Sequence, residues 1–268
     1  MLRWTAVTAA LAVFVTGCQV DPRTTGVPRA VGMAKSTAIP GCRAGPVRSA
    51  LAGRVIRVSR ISDIALGPKE VVLTFDDGPL PGRTERILAT LDRYGVQATF
   101  FVVGRMARAY PSSVRRIAQA GHSVGHHTDT HRNLARMGRK AALVEIARGE
   151  RAVAKALIGS GRTAAPFFRF PYLAHTTALR RALAARGTVV IDADIDSKDY
   201  FKQSPSKVLA RTLARLRRKG RGVVLFHDIH ERTVRLLPGF LAALKKGGFK
   251  VVHLVPANAG RCPPVRAS

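Results

Sequence analysis

A chain of 268 residues is long enough for one large α/β domain with a substantial core, and too short for two of ordinary size plus linkers. Its 45 Lys and Arg against 16 Asp and Glu give a formal net charge of +29, far beyond the needs of solubility, so the surface attracts polyanions or an anionic envelope. Aromatic residues make up only 6%, and no zinc-finger, RRM or recognition-helix signature accompanies the charge, so no specific nucleic-acid partner is expected.

The chain opens MLRWTAVTAALAVFVTGC. One basic residue, Arg3, precedes an apolar run of signal-peptide length, too short for a permanent membrane span. VTGC, Val15 to Cys18, resembles a lipobox, in which small residues precede a Cys that becomes the lipid-bearing first residue of the mature protein. Residues 1–17 are therefore read as a lipoprotein-type signal peptide, and Cys18 as a lipid anchor in a bacterial cell envelope. Residues 18–40, rich in Pro, Thr, Gly and basic residues without apolar periodicity, read as a flexible tether. Residues 41–70 form an N-terminal extension in which GRVIRVSRI adds an outer strand. The catalytic domain is expected over 71–256 and a tail over 257–268.

From Val71 a regular alternation begins. Apolar, β-branched or aromatic runs at 71–75, 98–103, 123–125, 167–170, 188–193, 222–226 and 249–254 predict strands. Between most of them, helical patterns cover 84–94, 111–120, 139–158, 177–186, 205–219 and 233–246. Such strand-helix units imply a parallel sheet, doubly wound or closed into a barrel. Polar residues collect directly after five of the predicted strands, in DDGP, HHTDTH, RFPY, DIDSKDY and HDIH. Side chains from so many strand ends converge only if the ends form a ring, which predicts a distorted (β/α) barrel of about seven parallel strands with its site at the C-terminal mouth. No Gly-rich phosphate loop follows the first of them, which argues against nucleotide binding. Closing the ring makes its first and last strands neighbours. Cys42 and Cys262 lie just outside those strands, and with Cys18 lipidated and the protein exported they are expected to form a disulfide.

HTDTH places His127 and His131 four residues apart, which puts two imidazoles on one face if the segment forms a helical turn. A carboxylate from FDDGP supplies a third ligand of an open metal site, and its neighbour is then left off the metal as a base. Arg169 pairs with the free carboxylate and holds its pKa low. His227 suits a general acid, and Asp199 raises its pKa by stabilising the imidazolium.

The ordered series TFDDGP, HTDTH, RFPY, DIDSKDY and LFHDIH resembles the polysaccharide deacetylase family, the nodulation-type carbohydrate esterases of family four, over about 71–255. The resemblance implies a distorted (β/α) barrel and one divalent metal ion, usually zinc, removing N-acetyl groups from polymeric GlcNAc or O-acetyl groups from xylan. It implies Asp76 as base, Asp77, His127 and His131 as metal ligands, Arg169 orienting the base, Asp199 tuning the acid and His227 as that acid. Leu225 then lines the acetyl-methyl pocket, and the backbone N–H of Tyr172 is the oxyanion donor. The sequence departs from the family pattern with His126, Phe170, Leu173 and Tyr200, which leave the ligands and the acid–base pair intact but reshape the rim. The expected activity is N-deacetylation of peptidoglycan or chitin-type oligosaccharides. The alternatives are a xylan-type O-acetyl esterase and a non-catalytic basic envelope-binding protein, which has no need of both an acid and a base. Oligomeric state is left open.

Overall fold

The computed structural model describes residues 49–259. Cys18, Cys42 and Cys262, with the signal peptide, the tether and most of the tail, lie outside the described residues. Among the described residues no helix is long and apolar enough to cross a membrane.

Among the described residues nine strands and seven α-helices follow one another in the order β1 (Ala52–Val58), β2 (Glu70–Asp76), α1 (Arg83–Arg93), β3 (Thr99–Val102), α2 (Gly104–Ala109), α3 (Pro111–Gln119), β4 (Ser123–His126), α4 (Arg139–Ala156), β5 (Phe167–Phe168), α5 (Thr177–Ala184), β6 (Val189–Val190), β7 (Ile195–Asp196), α6 (Pro205–Lys219), β8 (Gly222–His227), α7 (Glu231–Lys246) and β9 (Lys250–Pro256). Every strand pairing is parallel. A ring runs from β7 through β8, β2, β3, β4 and β5 to β6, and no pairing joins β6 back to β7 among the described residues. The barrel is thus distorted, as expected, and open at one seam.

Two details differ from the expectation. The last strand, β9, is not a ring member: it pairs with β1 along its length and touches β2 only at Glu70 and Val71, while β8 takes the place beside β2. The first and last predicted strands are still neighbours, but only through these two residues, and the β1–β9 pairing sets Ala52 beside Val251. The seventh ring member is instead β7, only two residues long and too short to carry a pattern.

Strand alternation sorts the core into an inner and an outer layer. On β2, Val71, Leu73 and Phe75 pack outward beneath the helices, and the Phe75 ring stacks on Phe100 and Phe226 at centroid distances of 5.0 and 5.9 Å. Val72 faces the other way, joining Phe101, Phe167, Val189, Ile191 and Val223, and this layer is covered by Ile56, Val58, Val252 and Leu254 of β1 and β9. Each such buried side chain contributes roughly 1.5–3 kcal/mol. The β1–β9 pair thus stands where the inner layer would otherwise meet water, and the polar strand ends are left to the opposite mouth.

The helices begin and end where local chemistry dictates. Ser204 caps α6 by accepting from the Lys207 N–H at 3.3 Å, Pro205 occupies its first turn, and Gly220 ends it with a φ of 76°. α2 was not expected, because its six residues are too few to show an amphipathic pattern.

Candidate active site

The alternation that turns Val72 inward does the same for Thr74 and Asp76, so the last residue of β2 delivers a carboxylate to the lumen, 1% exposed. Arg169, immediately after β5, fills the space beside it and is fully buried. Its Nη1 donates to Asp76 Oδ1 at 2.8 Å and to Thr74 Oγ1 at 2.7 Å. Its Nε donates to the Ile191 carbonyl at 2.9 Å and its Nη2 to that of Asp192 at 3.2 Å. The guanidinium carbon lies 4.4 Å from the Phe101 ring centroid. Fixed acceptors on every side hold a charge that burial alone would expel. Burial pushes the Asp76 carboxyl up; Arg169 lowers it, as expected, but offsets burial only in part, and the pKa settles at about 6.

Asp77 follows in the turn with a φ of 76°. His127 lies just past β4 and is buried, and its Nδ1 stands 2.7 Å from the Arg169 carbonyl oxygen. That oxygen only accepts, so Nδ1 carries the proton and Nε2 presents its lone pair. His127 Nε2 is 3.6 Å and His131 Nε2 3.1 Å from the same Asp77 Oδ1. The two imidazoles converge without the helical turn expected from their spacing: Thr128 and His131 adopt φ values of 64° and 62°, and Thr128 Oγ1 accepts from the His131 N–H at 3.0 Å. α4 supports this loop from behind. A Cβ on Gly149 would meet the Thr128 carbonyl at 2.3 Å, so only glycine permits the approach.

These three residues fit a divalent cation. Their ligand atoms lie within 4.8 Å of one another. Asp77 Oδ1 is buried and accepts no hydrogen bond, and burial lowers the pKa of both histidines, keeping their imidazoles neutral. His126 does not join them. Its ring packs on Phe168 at 4.9 Å, and burial lowers its pKa to about 3.

Across the mouth, β8 ends at His227. Its Nδ1 lies 2.6 Å from Asp199 Oδ1, and Asp199 Oδ2 accepts from the His227 N–H at 2.8 Å and from Thr233 Oγ1 at 2.5 Å. Burial opposes a charge on this imidazole, but the hydrogen bond and the charge of Asp199 outweigh it and raise the pKa to about 9. Nε2 is left facing the site, 3.9 Å from Asp77 Oδ2.

Asp76, Asp77, His127, His131 and His227, together with Leu225 and Tyr172, line one cavity of about 350 Å³. Arg169 and Asp199 stand behind it as supports. Tyr172 has a φ of 59° and is exposed, with its ring edge-on to His131 at 4.8 Å. Phe170, Leu173 and Tyr200, the departures seen in the sequence, form its rim. Two contributors were not singled out from the sequence. Asp196 lines the cavity and accepts from the Tyr200 hydroxyl at 3.0 Å, and it was hidden by the other acidic residues of DIDSKDY. Thr233, in the first turn of α7, carries no motif at all.

A profile of the polysaccharide deacetylase family matches residues 63–191. A chitooligosaccharide deacetylase of Bradyrhizobium sp. is 30% identical over 209 residues, 71% of this chain and 90% of that protein. A peptidoglycan-N-acetylglucosamine deacetylase of Bacillus cereus is 33% identical over 190 residues, 68% of each. Among solved structures, a peptidoglycan deacetylase of Bdellovibrio bacteriovorus superposes with a TM-score of 0.67 at 35% identity, covering 79% of this chain and 58% of that longer one. With the ring of strand ends and the Asp–His–His group flanked by Asp76 and His227 on one chain, this protein belongs to the polysaccharide deacetylase family.

Proposed function

We propose that the protein is a metal-dependent deacetylase that hydrolyses the N-acetyl groups of GlcNAc-containing polymers, peptidoglycan or chitin-type oligosaccharides. The observation that carries this is the placement of two opposed proton-transfer groups, Asp76 with Arg169 and His227 with Asp199, on either side of Asp77, His127 and His131. Those three residues would hold the cation, and two imidazole nitrogens with one carboxylate oxygen suit zinc. A bound divalent cation supplies Lewis acidity and lowers the pKa of water.

The chain's own groups do the rest. Asp76, ionised above about pH 6, takes the proton of the attacking water, and Arg169 fixes its orientation. The Tyr172 N–H donates to the developing oxyanion, and Leu225 borders the acetyl methyl group. His227, protonated below about pH 9, gives its proton to the departing sugar amine, and Asp199 stabilises the imidazolium until then. Export, with lipidation of Cys18, would keep the enzyme in the envelope, and its excess of positive charge would hold it near anionic wall polymers.

The decisive experiment incubates the metal-loaded soluble domain with peptidoglycan and with chitin oligomers and measures acetate and free amine together. Equimolar release supports N-deacetylation. Acetate from acetylxylan without amine from either polymer overturns it in favour of the esterase. Elemental analysis of the purified protein tests zinc, and radiolabelled palmitate incorporation lost in Cys18→Ala tests the anchor.

A further inference from the structure

Beside the active-site cavity lies a second one of about 560 Å³, where the N-termini of α6 and α7 meet the loop after β8. The two adjoin: the His230 ring in its wall is 5.7 Å from the His227 ring, and Lys202 follows Tyr200 of the active-site rim by two residues. Its wall carries Arg83, Lys202, Arg232 and Arg235 against a single carboxylate, Glu231. That carboxylate is already shared, with Arg83 at 4.0 Å, Arg235 at 3.3 Å and Arg86 at 2.8 Å. The Gln203 side-chain oxygen is taken by Arg211. Lys202 and Arg232 have no ion-pair partner among the described residues, and Arg232 Nη1 is buried without a hydrogen bond. α7 adds the positive end of its dipole, uncapped by any side chain.

Four cations thus face one carboxylate that three arginines already share, so an anion entering the cavity meets positive charge that no residue of its wall neutralises. The cavity is rich in donors and poor in acceptors, and it adjoins the place where a polymer is deacetylated. We propose that it binds a carboxylate carried by the sugar next to the GlcNAc in the active site. This rests on the deacetylase reading and selects between its two substrates. A chitin-type chain offers only neutral sugars, and once deacetylated it brings an ammonium group that the cavity repels. A peptidoglycan strand alternates GlcNAc with a lactyl-ether sugar, which presents a carboxylate either directly or through an acidic peptide. The protein is thus assigned to the acidic polymer.

The test uses the metal-loaded protein, Arg232→Gln and the double variant Lys202→Ala/Arg232→Gln. Substrates of equal length are a neutral GlcNAc oligomer, a peptidoglycan glycan with free lactyl carboxylates, and the same glycan bearing its peptides. For an acidic substrate the variants should raise KM roughly tenfold with kcat unchanged, the size expected for a charge-assisted hydrogen bond. The neutral oligomer should be unaffected, and high salt should erase the wild-type preference. Which acidic arm responds tells whether lactyl or peptide carboxylates are bound. Equal losses on neutral and acidic substrates, or no loss on either acidic one, overturn the proposal. If the wild type deacetylates nothing, it is the deacetylase reading that fails. Calorimetric binding of the acidic glycans to wild type and variants then decides the cavity alone: weaker binding in the variants supports it, and equal or absent binding overturns it.

Discussion

Arg169 serves both halves of the site at once: its side chain holds Asp76 at 2.8 Å, and its carbonyl oxygen fixes His127 Nδ1 at 2.7 Å. The two roles separate on mutation, because only the side chain is removed. Arg169→Met should leave Asp76 buried without its cation, raise its pKa above about 6 and move the acid limb of the pH profile upward. Breaking one partner of a buried pair costs about 3–5 kcal/mol, to be read by chemical denaturation. Metal should remain bound, because the carbonyl persists. A variant as stable as the wild type, with an unmoved acid limb, would contradict this.

The ligand assignment predicts a different pattern. Asp77→Ala, His127→Ala and His131→Ala should each lose both metal and activity, since an open site with three protein ligands seldom survives the loss of one. Asp76→Asn should keep its metal and lose turnover. Elemental analysis of the four proteins checks it, and a fully loaded His131→Ala would remove that residue from the set.

Much of this site was legible because it is built from strand ends. Val71–Phe75 and Gly222–Phe226 are β-branched and aromatic runs, so their ends could be placed, and the polar residues after them had to share one mouth. What was missed depends on three-dimensional balance or on very short elements. The net effect on Asp76 is a contest between burial and Arg169 that no spacing reveals. The convergence of His127 and His131 relies on two left-handed backbone residues, not on a periodicity. The cationic cavity joins Arg83, Lys202 and Arg232, which in the sequence lie far apart and add only to a diffuse positive charge.

The pH profile should be a bell. As the proposed base, Asp76 is competent only when ionised, so activity should fall on the acid side as pH drops through about 6. As the proposed acid, His227 is competent only when protonated, so activity should fall on the alkaline side as pH rises through about 9. A bound cation disfavours the protonated form of both groups, so the limbs of the loaded enzyme lie at or below these values. His227→Ala should lose roughly 10²- to 10⁴-fold in kcat without emptying the site. Asp199→Asn should bring the alkaline limb down, because the imidazolium loses its carboxylate partner. A limb that stays in place in Asp199→Asn would exclude the pairing from catalysis.

At the far end of the barrel, His122 precedes β4 and His253 sits on β9, its Nε2 3.1 Å from Ser123 Oγ. Burial lowers the pKa of His122 to about 3, helped by the charge of His253, and that of His253 to about 4. Both are depressed below the unfolded value near 6.5, so the unfolded chain binds more protons between those limits. Their stabilisation is complete above about pH 6.5 and is lost as pH falls. The loss at pH 5 is on the order of 2 kcal/mol for His122 and less for the partly exposed His253. Denaturation at pH 8 and pH 5 should show the drop, and His122→Asn should shrink it. An unchanged pH dependence in that variant would show that His122 is not among its sources.

Gly78 sits against Asp228 so closely that a Cβ there would fall 2.1 Å from Asp228 Oδ2 and 2.2 Å from Oδ1. The carboxylate has little freedom to retreat: it is buried, and Oδ2 accepts from Thr84 Oγ1 at 2.6 Å, whose oxygen in turn accepts from the Leu80 N–H at 2.8 Å. The clash must therefore pass into the turn that carries Asp77. Gly78→Ala should cost about 1–3 kcal/mol, the usual range for overpacking, and weaken metal binding although no ligand is changed. Asp228→Gly, which empties the space, should restore metal affinity when combined with Gly78→Ala, so the two substitutions are non-additive. Metal titration and thermal melts of the four proteins in this cycle decide it. If Gly78→Ala binds metal as the wild type does, the turn is not held in place by this contact.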